Sequence, residues 1–160
     1  MKTYKFYTMQ LLHVELAEAW DFFTSPGNLA RITPPDMGFK VLTTFTEPAI
    51  YPGMEIDYIV KPLAGISLKW RTLITDVKLM KSFTDTQIRG PYSVWEHYHT
   101  FNEIQPGKIQ MIDEVRYRLP LGVIGHAVHS LIVKNRIQEI FTFRRQALEK
   151  IFHDHVTLDH

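Results

Sequence analysis

The feature that most constrains the fold is a run of strand-like segments between Pro35 and Pro120. Six segments there alternate apolar and polar residues or are rich in β-branched and aromatic side chains, the first at residues 38–45 and the last at 108–120. Short polar connections separate them, and Gln-Pro-Gly at 105–107 is a tight-turn signal before the last one. Such connections are what antiparallel hairpins require. The sequence therefore predicts a large antiparallel sheet.

Helical periodicity frames this run on both sides. A single strand opens the chain, after which apolar residues recur with helical spacing at Leu16, Ala19, Trp20 and Phe23. A second short helix is predicted over residues 26–32, with Ser25 as its N-cap. Apolar residues with helical spacing between Ile124 and Phe152 predict one long amphipathic helix at the end of the chain. The tail at 154–160 has no clear period, and we expect it to fray.

This order of elements predicts an α+β helix-grip fold. A sheet of six or seven strands must curl, and its apolar concave face needs a cover. The long C-terminal helix is the element that can supply it. We therefore expect a curved antiparallel sheet of about six to seven strands wrapped on that helix, with two short helices after the first strand. Residues 1–153 would form one domain.

Composition excludes several classes of protein. The 160 residues are 45% hydrophobic, which is enough for one core without metal or disulfide staples. The absence of cysteine removes disulfides, thiol nucleophiles and cysteine-based zinc sites. A net charge of +1, with Lys and Arg spread along the chain, argues against a nucleic-acid partner.

The same sequence carries no membrane or export signal. No apolar run approaches transmembrane length, and the first residues lack the apolar core of a secretory signal. We expect a cytoplasmic protein without stable membrane insertion, either a monomer or a dimer.

Polar residues occupy faces that should point inward. In the last strand Asp113 shares its face with the apolar side chains of Met111, Val115, Tyr117 and Leu119. The alternation in the preceding strand puts His97 and His99 on the face of Trp95 and Phe101, and an earlier strand would turn Asp85 and Gln87 inward. Neighbouring antiparallel strands can gather these groups into one patch. Such a patch is typical of a cavity with a polar floor, in which an imidazole beside a carboxylate supplies the partner that a buried charge needs.

The element order and a dense motif run resemble the START and birch-pollen-allergen superfamily (SRPBCC), and are most similar to a bacterial ligand-binding branch of it. The residues that carry the resemblance are Phe83, Asp85, Gln87, Gly90, Pro91, Tyr92, Trp95, His97, His99, Phe101, Asp113, Val115, Tyr117, Pro120, Gly122, Phe141 and Arg144. The resemblance implies the helix-grip fold and an internal ligand cavity. Members bind lipids, sterols, polyketides and plant hormones, and some are cyclases or dehydratases. The glycine-rich loop of the plant allergen branch is absent, so the ligands of that branch are not carried over.

Our main hypothesis is that the chain binds a small hydrophobic or amphipathic molecule between the sheet and the last helix. The apolar wall would comprise Trp70, Trp95, Phe101, Met111 and Tyr117. The polar end of the ligand would be oriented by Asp85, Gln87, His97, His99 and Asp113. Arg144 lies on the apolar stripe of the last helix, three residues after Phe141, from where it could hold a ligand carboxylate or expose its head at the rim.

Three alternatives remain open. The inward His and Asp residues could be a satisfied hydrogen-bond network that only fixes strand register. The chain could instead be an enzyme of the polyketide cyclase or dehydratase kind, less favoured than binding, with His97 or His99 as acid–base and Asp113 as orienter. A co-chaperone-like module would need an exposed apolar patch, which we cannot locate in the sequence.

We expect no metal and no other cofactor. His97 and His99 lie two residues apart on one face, so both imidazoles could touch one ion. A stable site needs further ligands, and Asp85 and Asp113 are the only nearby carboxylates. Both are also hydrogen-bond partners for the same histidines.

Overall fold

The computed structural model of the chain describes residues 2–62, 65–120, 127 and 132–153. The first elements are strand β1 (Tyr4–Leu12), helix α1 (Leu16–Phe23) and two 3₁₀ helices (Pro26–Ile32 and Pro35–Met37). Six further strands follow: β2 (Lys40–Val41), β3 (Glu55–Val60), β4 (Leu68–Lys78), β5 (Ser82–Arg89), β6 (Val94–Gln105) and β7 (Lys108–Arg118). Helix α2 (Lys134–His153) is the last described element.

The seven strands form one antiparallel sheet in the order β1-β7-β6-β5-β4-β3-β2. The first strand therefore pairs with the last, from Tyr4 opposite Tyr117 to Leu12 opposite Ile109. Bulges interrupt the β4–β5 ladder at two places, and bulges increase the local twist and bend of a sheet. The predicted α+β helix-grip fold, with its curved antiparallel sheet and C-terminal helix, is confirmed.

Two local predictions need correction. The first of the six predicted strands, at 38–45, is only two residues long in the structure, Lys40–Val41. Beyond it the backbone N–H of Asp57 donates to the hydroxyl of Thr43 at 2.8 Å and not to a backbone carbonyl, so the ladder ends there. Residues 26–32 are helical as predicted, in the tighter 3₁₀ form, but Ser25 does not cap them. Its hydroxyl instead donates to the carbonyl of Asp21 at 2.6 Å and so finishes α1.

Parts of the predicted long helix and the predicted frayed tail cannot be compared with the structure. Residues 121–126 and 128–131, where that helix was expected to begin, lie outside the described residues, as do residues 154–160. The helix is present from Lys134 to His153.

Helix α2 packs against the concave face of the sheet with one stripe. Its buried residues are Ile137, Phe141, Arg144, Leu148 and Phe152, at the spacing of one helix face. Four of the five are apolar, and the fifth is an arginine in the middle of the stripe. The fold therefore carries a cation onto the apolar face of the grip. No described helix is both long and apolar enough to cross a lipid bilayer.

Apolar clusters lie on both sides of a polar region in the middle of the sheet. One cluster joins α1 and the end of α2 to Phe101 and Met111. Another joins Ile137 and Phe141 of α2 to Val115 and Tyr117. Asp113 lies between Met111 and Val115 on β7, so the polar region separates the two clusters.

Candidate functional site

Four polar side chains meet on the concave face of the sheet. The β5–β6 register places Asp85 opposite His97, and the β6–β7 register places His99 opposite Asp113. His97 and His99 are two residues apart on β6, so both project from the same face. The sequence predicted that these four residues would come together, and they do. We refer to Asp85, His97, His99 and Asp113 as the His–Asp cluster.

Each imidazole of the His–Asp cluster lies between the two carboxylates. Nε2 of His97 is 2.7 Å from Oδ1 of Asp113, and its Nδ1 is 3.7 Å from Oδ2 of Asp85. Nε2 of His99 is 2.6 Å from Oδ2 of Asp85, and its Nδ1 is 3.3 Å from Oδ1 of Asp113. The two ring centroids are 3.7 Å apart. The cluster is therefore a closed ring of two acids and two imidazoles.

Both acids of the cluster are ionised. Burial by itself raises the pKa of Asp85 and of Asp113, because it disfavours the charged form. The hydrogen bonds and charges of the two histidines outweigh burial and hold both pKa values below the usual range. Arg144 adds to this effect at Asp85.

The two histidines titrate differently. Burial lowers the pKa of His97, and the neighbouring charge of His99 lowers it further, so that the two carboxylates do not restore its ordinary value. Burial also acts to lower the pKa of His99, but its contacts to Asp113 and Asp85 prevail and raise it. Of the two imidazoles, His99 therefore holds a proton more readily, and His97 favours its neutral form.

The hydrogen bond between His97 and Asp113 determines the tautomer of neutral His97. An ionised carboxylate can only accept hydrogen bonds, so the 2.7 Å contact to Asp113 places a proton on Nε2 of His97. A neutral imidazole has one N–H, which leaves a lone pair on Nδ1. The nearest carboxylate oxygen to Nδ1 is 3.7 Å away, too far for a hydrogen bond. Nδ1 of neutral His97 is thus unprotonated and has no carboxylate within hydrogen-bond distance.

Two small cavities lie between the sheet and the elements that cover it. The larger has a volume of about 120 Å³ and reaches α2; the smaller, of about 80 Å³, lies against α1 and the first 3₁₀ helix. Leu29, Tyr58 and Asp85 line both. The carboxylate of Asp85 therefore stands at the boundary between the two spaces.

Aromatic rings form the walls of the larger cavity. The rings of Trp70 and Trp95 are 5.4 Å apart and nearly perpendicular, and Tyr92 lies 4.8 Å from Trp95. Tyr58 stacks on Trp70 at 5.9 Å. Burial raises the pKa of the Tyr58 phenol, and the charge of Asp85 raises it further, so the phenol stays neutral. Walls of this kind suit a flat apolar group.

Arg144 brings a positive charge to the same cavity and makes no direct ion pair with the residues that the structure describes. The residue is only 9% exposed, and its guanidinium packs over the ring of Phe141 at 4.9 Å. Its Nε is buried and has no hydrogen-bond partner among the described residues. Oδ2 of Asp113 is also buried without a hydrogen-bond partner among the described residues. Buried polar atoms are nearly always paired, so each of these atoms calls for an explanation.

Most of the predicted site residues fall into two groups, and His99 and Asp113, which belong to the His–Asp cluster, line neither of the two cavities. Trp70, Asp85, Trp95, His97 and Arg144 line the larger cavity. Phe101 and Met111 belong instead to the apolar cluster with α1, and Tyr117 to the cluster with Ile137 and Phe141. None of these last three lines either of the two cavities.

The side chain of Gln87 hydrogen-bonds to the backbone of the turn that follows β5. Its side-chain amide donates to the carbonyl of Tyr92 at 2.7 Å and its oxygen accepts from the N–H of Tyr92 at 3.2 Å. This clip holds Tyr92, a wall residue, in place. Gln87 thus acts on the cavity through Tyr92.

Sequence reasoning missed several lining residues, namely Leu29, Thr33, Met37, Phe39, Tyr58, Val60, Pro62, Tyr92 and Ile140. Tyr58 is placed at the cavity by its position opposite Trp70 in the β3–β4 register. Recovering it would have required that register, which the hydrophobic pattern does not give.

Three residues of the cluster have the composition of a metal site. Asp85, His97 and His99 offer ligand atoms that all lie within 4.8 Å of one another. Two imidazoles and one carboxylate are a known ligand set for divalent transition metals. Here each histidine already has a carboxylate at hydrogen-bond distance. The expectation of no metal therefore remains a prediction.

Comparison with known proteins connects the chain to other proteins by fold alone. No protein-family model and no curated protein matches the sequence. Among solved structures, a START superfamily protein from Mycobacterium smegmatis has a TM-score of 0.68 at 13% identity, covering 94% of this chain and 97% of that one.

Two further structures resemble the chain to a similar degree. The Zhui aromatase/cyclase from Streptomyces sp. R1128 has a TM-score of 0.68 at 10% identity, covering 94% of this chain and 96% of that one. A point mutant of norcoclaurine synthase from Thalictrum flavum, in complex with a transition-state analogue, has a TM-score of 0.66 at 11% identity, with 98% of each chain covered. At such identities the likeness establishes the fold, which is the START-like fold that the sequence predicted.

Proposed function

We propose that this helix-grip domain binds a small hydrophobic or amphipathic molecule in the cavity between the sheet and α2. The observation that carries the proposal is that three polar groups converge on an otherwise aromatic cavity. Asp85, His97 and Arg144 all line it, and both Nδ1 of His97 and Nε of Arg144 lack a hydrogen-bond partner among the described residues. Polar atoms without a partner that belong to residues lining an aromatic cavity are the groups a binding site offers to its ligand.

The dimensions of the cavities indicate a small ligand. The larger holds about 120 Å³ and its neighbour about 80 Å³. A cavity of about 150 Å³ accommodates a benzene ring. The two adjoining spaces together exceed that volume, which suits a ligand with one ring and a short polar substituent. The ring would lie against the wall formed by Trp70 and Trp95, and the substituent would lie near Asp85, His97 and Arg144.

The fold neighbours support a ligand-binding or catalytic role without deciding between them. One is described as a START superfamily protein, one as an aromatase/cyclase and one as a synthase solved with a transition-state analogue. A fold hosts many functions, so the choice has to be argued from the site of this chain.

A second candidate function is acid–base catalysis of the cyclase or dehydratase kind. The observation that favours it is the pairing of His97, a residue that lines the cavity, with Asp113, which leaves Nδ1 of neutral His97 unprotonated. A neutral imidazole held by a carboxylate can accept a proton from a bound substrate. No serine or threonine hydroxyl takes part in the cluster, so a covalent intermediate is not part of this candidate.

The protein-binding alternative has less support. Outward residues of β1, namely Tyr7, Met9 and Leu11, are exposed, but they form a stripe one strand wide at the sheet edge.

A cytoplasmic location and a monomeric or dimeric state are further parts of the proposal, based on the sequence.

The proposal can be tested by native mass spectrometry of the protein purified from its own host. We expect the wild-type protein to retain a small molecule. Ile140 is half-buried on α2 and lines the larger cavity, so Ile140→Trp should fill the space and abolish retention. Ile151 is also half-buried on α2 but packs against the cluster with α1, so Ile151→Trp is the matched control and should retain the molecule.

Two results would count against binding in this cavity. One is that the Ile140→Trp protein keeps the same mass as the wild-type protein. The other is a wild-type protein that carries nothing and gains no thermal stability from any member of a panel of one-ring compounds.

A further inference from the structure

Arg144 is a buried cation that makes no direct ion pair with the described residues, although its charge helps to lower the pKa of Asp85. It is 9% exposed, and its buried Nε has no hydrogen-bond partner among the described residues. Its guanidinium is permanently charged, and an unpaired buried charge is costly. The cation–π contact with Phe141 offsets only part of that cost. A group that supplies a negative charge inside the cavity would complete the site.

The charges around the cavity show what an incoming anion would need. Asp85 and Asp113 are ionised, and when His99 carries its proton, the positive charges of His99 and Arg144 balance these two negative charges. An anion at Arg144 would add one uncompensated negative charge close to Asp85. A proton on His97 would restore neutrality.

His97 is placed to take that proton. His97 lines the cavity, and its Nδ1, which carries a lone pair in the neutral form, is 3.7 Å from Oδ2 of Asp85. The charged groups packed around it are Asp85 on β5, His99 on β6, Asp113 on β7 and Arg144 on α2. A further negative charge in the cavity works against burial and against His99, the two influences that hold the pKa of His97 down.

We infer that the ligand of this cavity is a one-ring carboxylic acid, held as its anion by Arg144, and that its binding places a proton on Nδ1 of His97. The inference rests on the proposed function and names the class of its ligand. If the free acid enters, its O–H bond breaks and the proton moves to Nδ1. If the carboxylate enters, the proton comes from the solvent. No other bond changes.

The structure favours a carboxylate over other anions. The planar fork of a guanidinium matches the two oxygens of a carboxylate. A phosphate would bring a second negative charge to a cavity that already contains Asp85 and a single unpaired cation. The aromatic walls formed by Trp70, Tyr92 and Trp95 favour a flat ring as the body of the ligand.

The test is isothermal titration calorimetry with benzoate and with its neutral isostere benzamide. We expect benzoate to bind about ten- to a hundredfold more tightly, the ratio that one charge-assisted hydrogen-bonded pair supplies. Because one proton is taken up, the affinity for benzoate should rise about tenfold for each pH unit between pH 8 and pH 6. The measured heat should vary with the ionisation enthalpy of the buffer by an amount that corresponds to one proton.

Variants separate the contributions of the two residues. Arg144→Met should remove the preference for benzoate and leave the weak binding of benzamide. Arg145→Met is the matched control, because Arg145 donates to Thr8 and to the carbonyl of Met9 on β1, and it should keep the preference. His97→Gln should abolish the proton uptake.

The outcomes distinguish this inference from the proposed function. Equal binding of benzoate and benzamide that Arg144→Met does not change would overturn the inference, while leaving an apolar binding site in place. Benzoate binding without proton uptake would overturn the role of His97. If neither compound binds, the ligand class is wrong, and native mass spectrometry decides separately whether the cavity holds another molecule.

Discussion

Nε2 of His97 lies 2.7 Å from Oδ1 of Asp113, and the carboxylate of Asp113 is the most deeply buried acid of the site, at 1% exposure. The same oxygen lies 3.3 Å from Nδ1 of His99. Asp85 is the counterpart on the other side of the two rings, but it lines both cavities, and its side chain is 19% exposed. The two acids therefore have different surroundings: Asp113 is buried behind the histidines, and Asp85 borders the two cavities.

This difference predicts different effects of the same substitution. Asp113→Asn should lower the free energy of unfolding by about 2–4 kcal/mol, because it removes a charge from a fully buried network. Asp85→Asn should cost less stability, since water and the cavity can accommodate the change, and should weaken ligand binding more. Urea unfolding of both variants, alongside titration with the bound ligand, measures the two effects. The reverse order of stabilities would show that Asp85 is the structural acid.

The two histidines should give stability opposite dependences on pH. The pKa of His99 is raised in the folded state, so its contribution is fully present below the ordinary histidine pKa of about 6.5 and is lost as pH rises through the folded-state value. The pKa of His97 is lowered, so its contribution is present above about pH 6.5 and is lost as pH falls through the folded-state value.

Denaturant unfolding of wild-type protein, His99→Gln and His97→Gln over about pH 5 to pH 9 tests these signs. The difference in unfolding free energy between wild-type protein and His99→Gln should shrink as pH rises, and the difference for His97→Gln should shrink as pH falls. Parallel curves for the two variants would mean that the assignment of charge within the cluster is wrong.

Gly90 should be needed for the wall of the cavity. A Cβ at this position would lie 2.4 Å from Oε1 of Gln87, whose amide holds both backbone groups of Tyr92. Gly90→Ala would push Gln87 away and break both hydrogen bonds, at a cost of about 1–3 kcal/mol. At Gly27 a Cβ meets nothing within 4 Å, so Gly27→Ala is the control and should be nearly neutral. Equal stabilities of the two variants, measured by thermal melts, would show that the clip contributes nothing.

The fold could be predicted from the sequence because each element has its own period. The alternation in β6 and β7, the helical spacing in α2 and the short turns between strands are local signals that tertiary packing does not override. The shortened β2 is the exception, since a threonine side chain competes there with the backbone for hydrogen bonds.

For the site, the sequence could predict only which strand residues point to the concave face of the sheet. Alternation placed Asp85, His97, His99 and Asp113 inward and therefore together. It could not distinguish a cavity wall from a dry core farther along the same strand, so Phe101 and Met111 were assigned to the wall although they pack under α1. Tyr58 and Ile140 reach the cavity from β3 and α2, and their positions depend on register and on how the helix sits over the sheet.

The protein should contain no stoichiometric metal after purification. Nε2 of His99 and Nε2 of His97 each have a carboxylate oxygen at 2.6 Å and 2.7 Å, so a metal would have to displace existing hydrogen bonds. Elemental analysis of untagged, dialysed protein checks this expectation, with His97→Ala as the comparison. Zinc, iron or manganese at one equivalent that disappears in the variant would contradict it and would favour a metal-dependent enzyme.

The central claim is that the chain keeps a charged, incompletely partnered cavity for a ligand rather than for stability. The most direct test is the free energy of unfolding of Arg144→Met without ligand. Methionine fills a similar volume and removes an unpaired buried charge, so the account predicts a stability equal to that of the wild-type protein or higher by up to about 2 kcal/mol. A loss of about 2 kcal/mol or more would mean that Arg144 serves the fold, and would contradict the account.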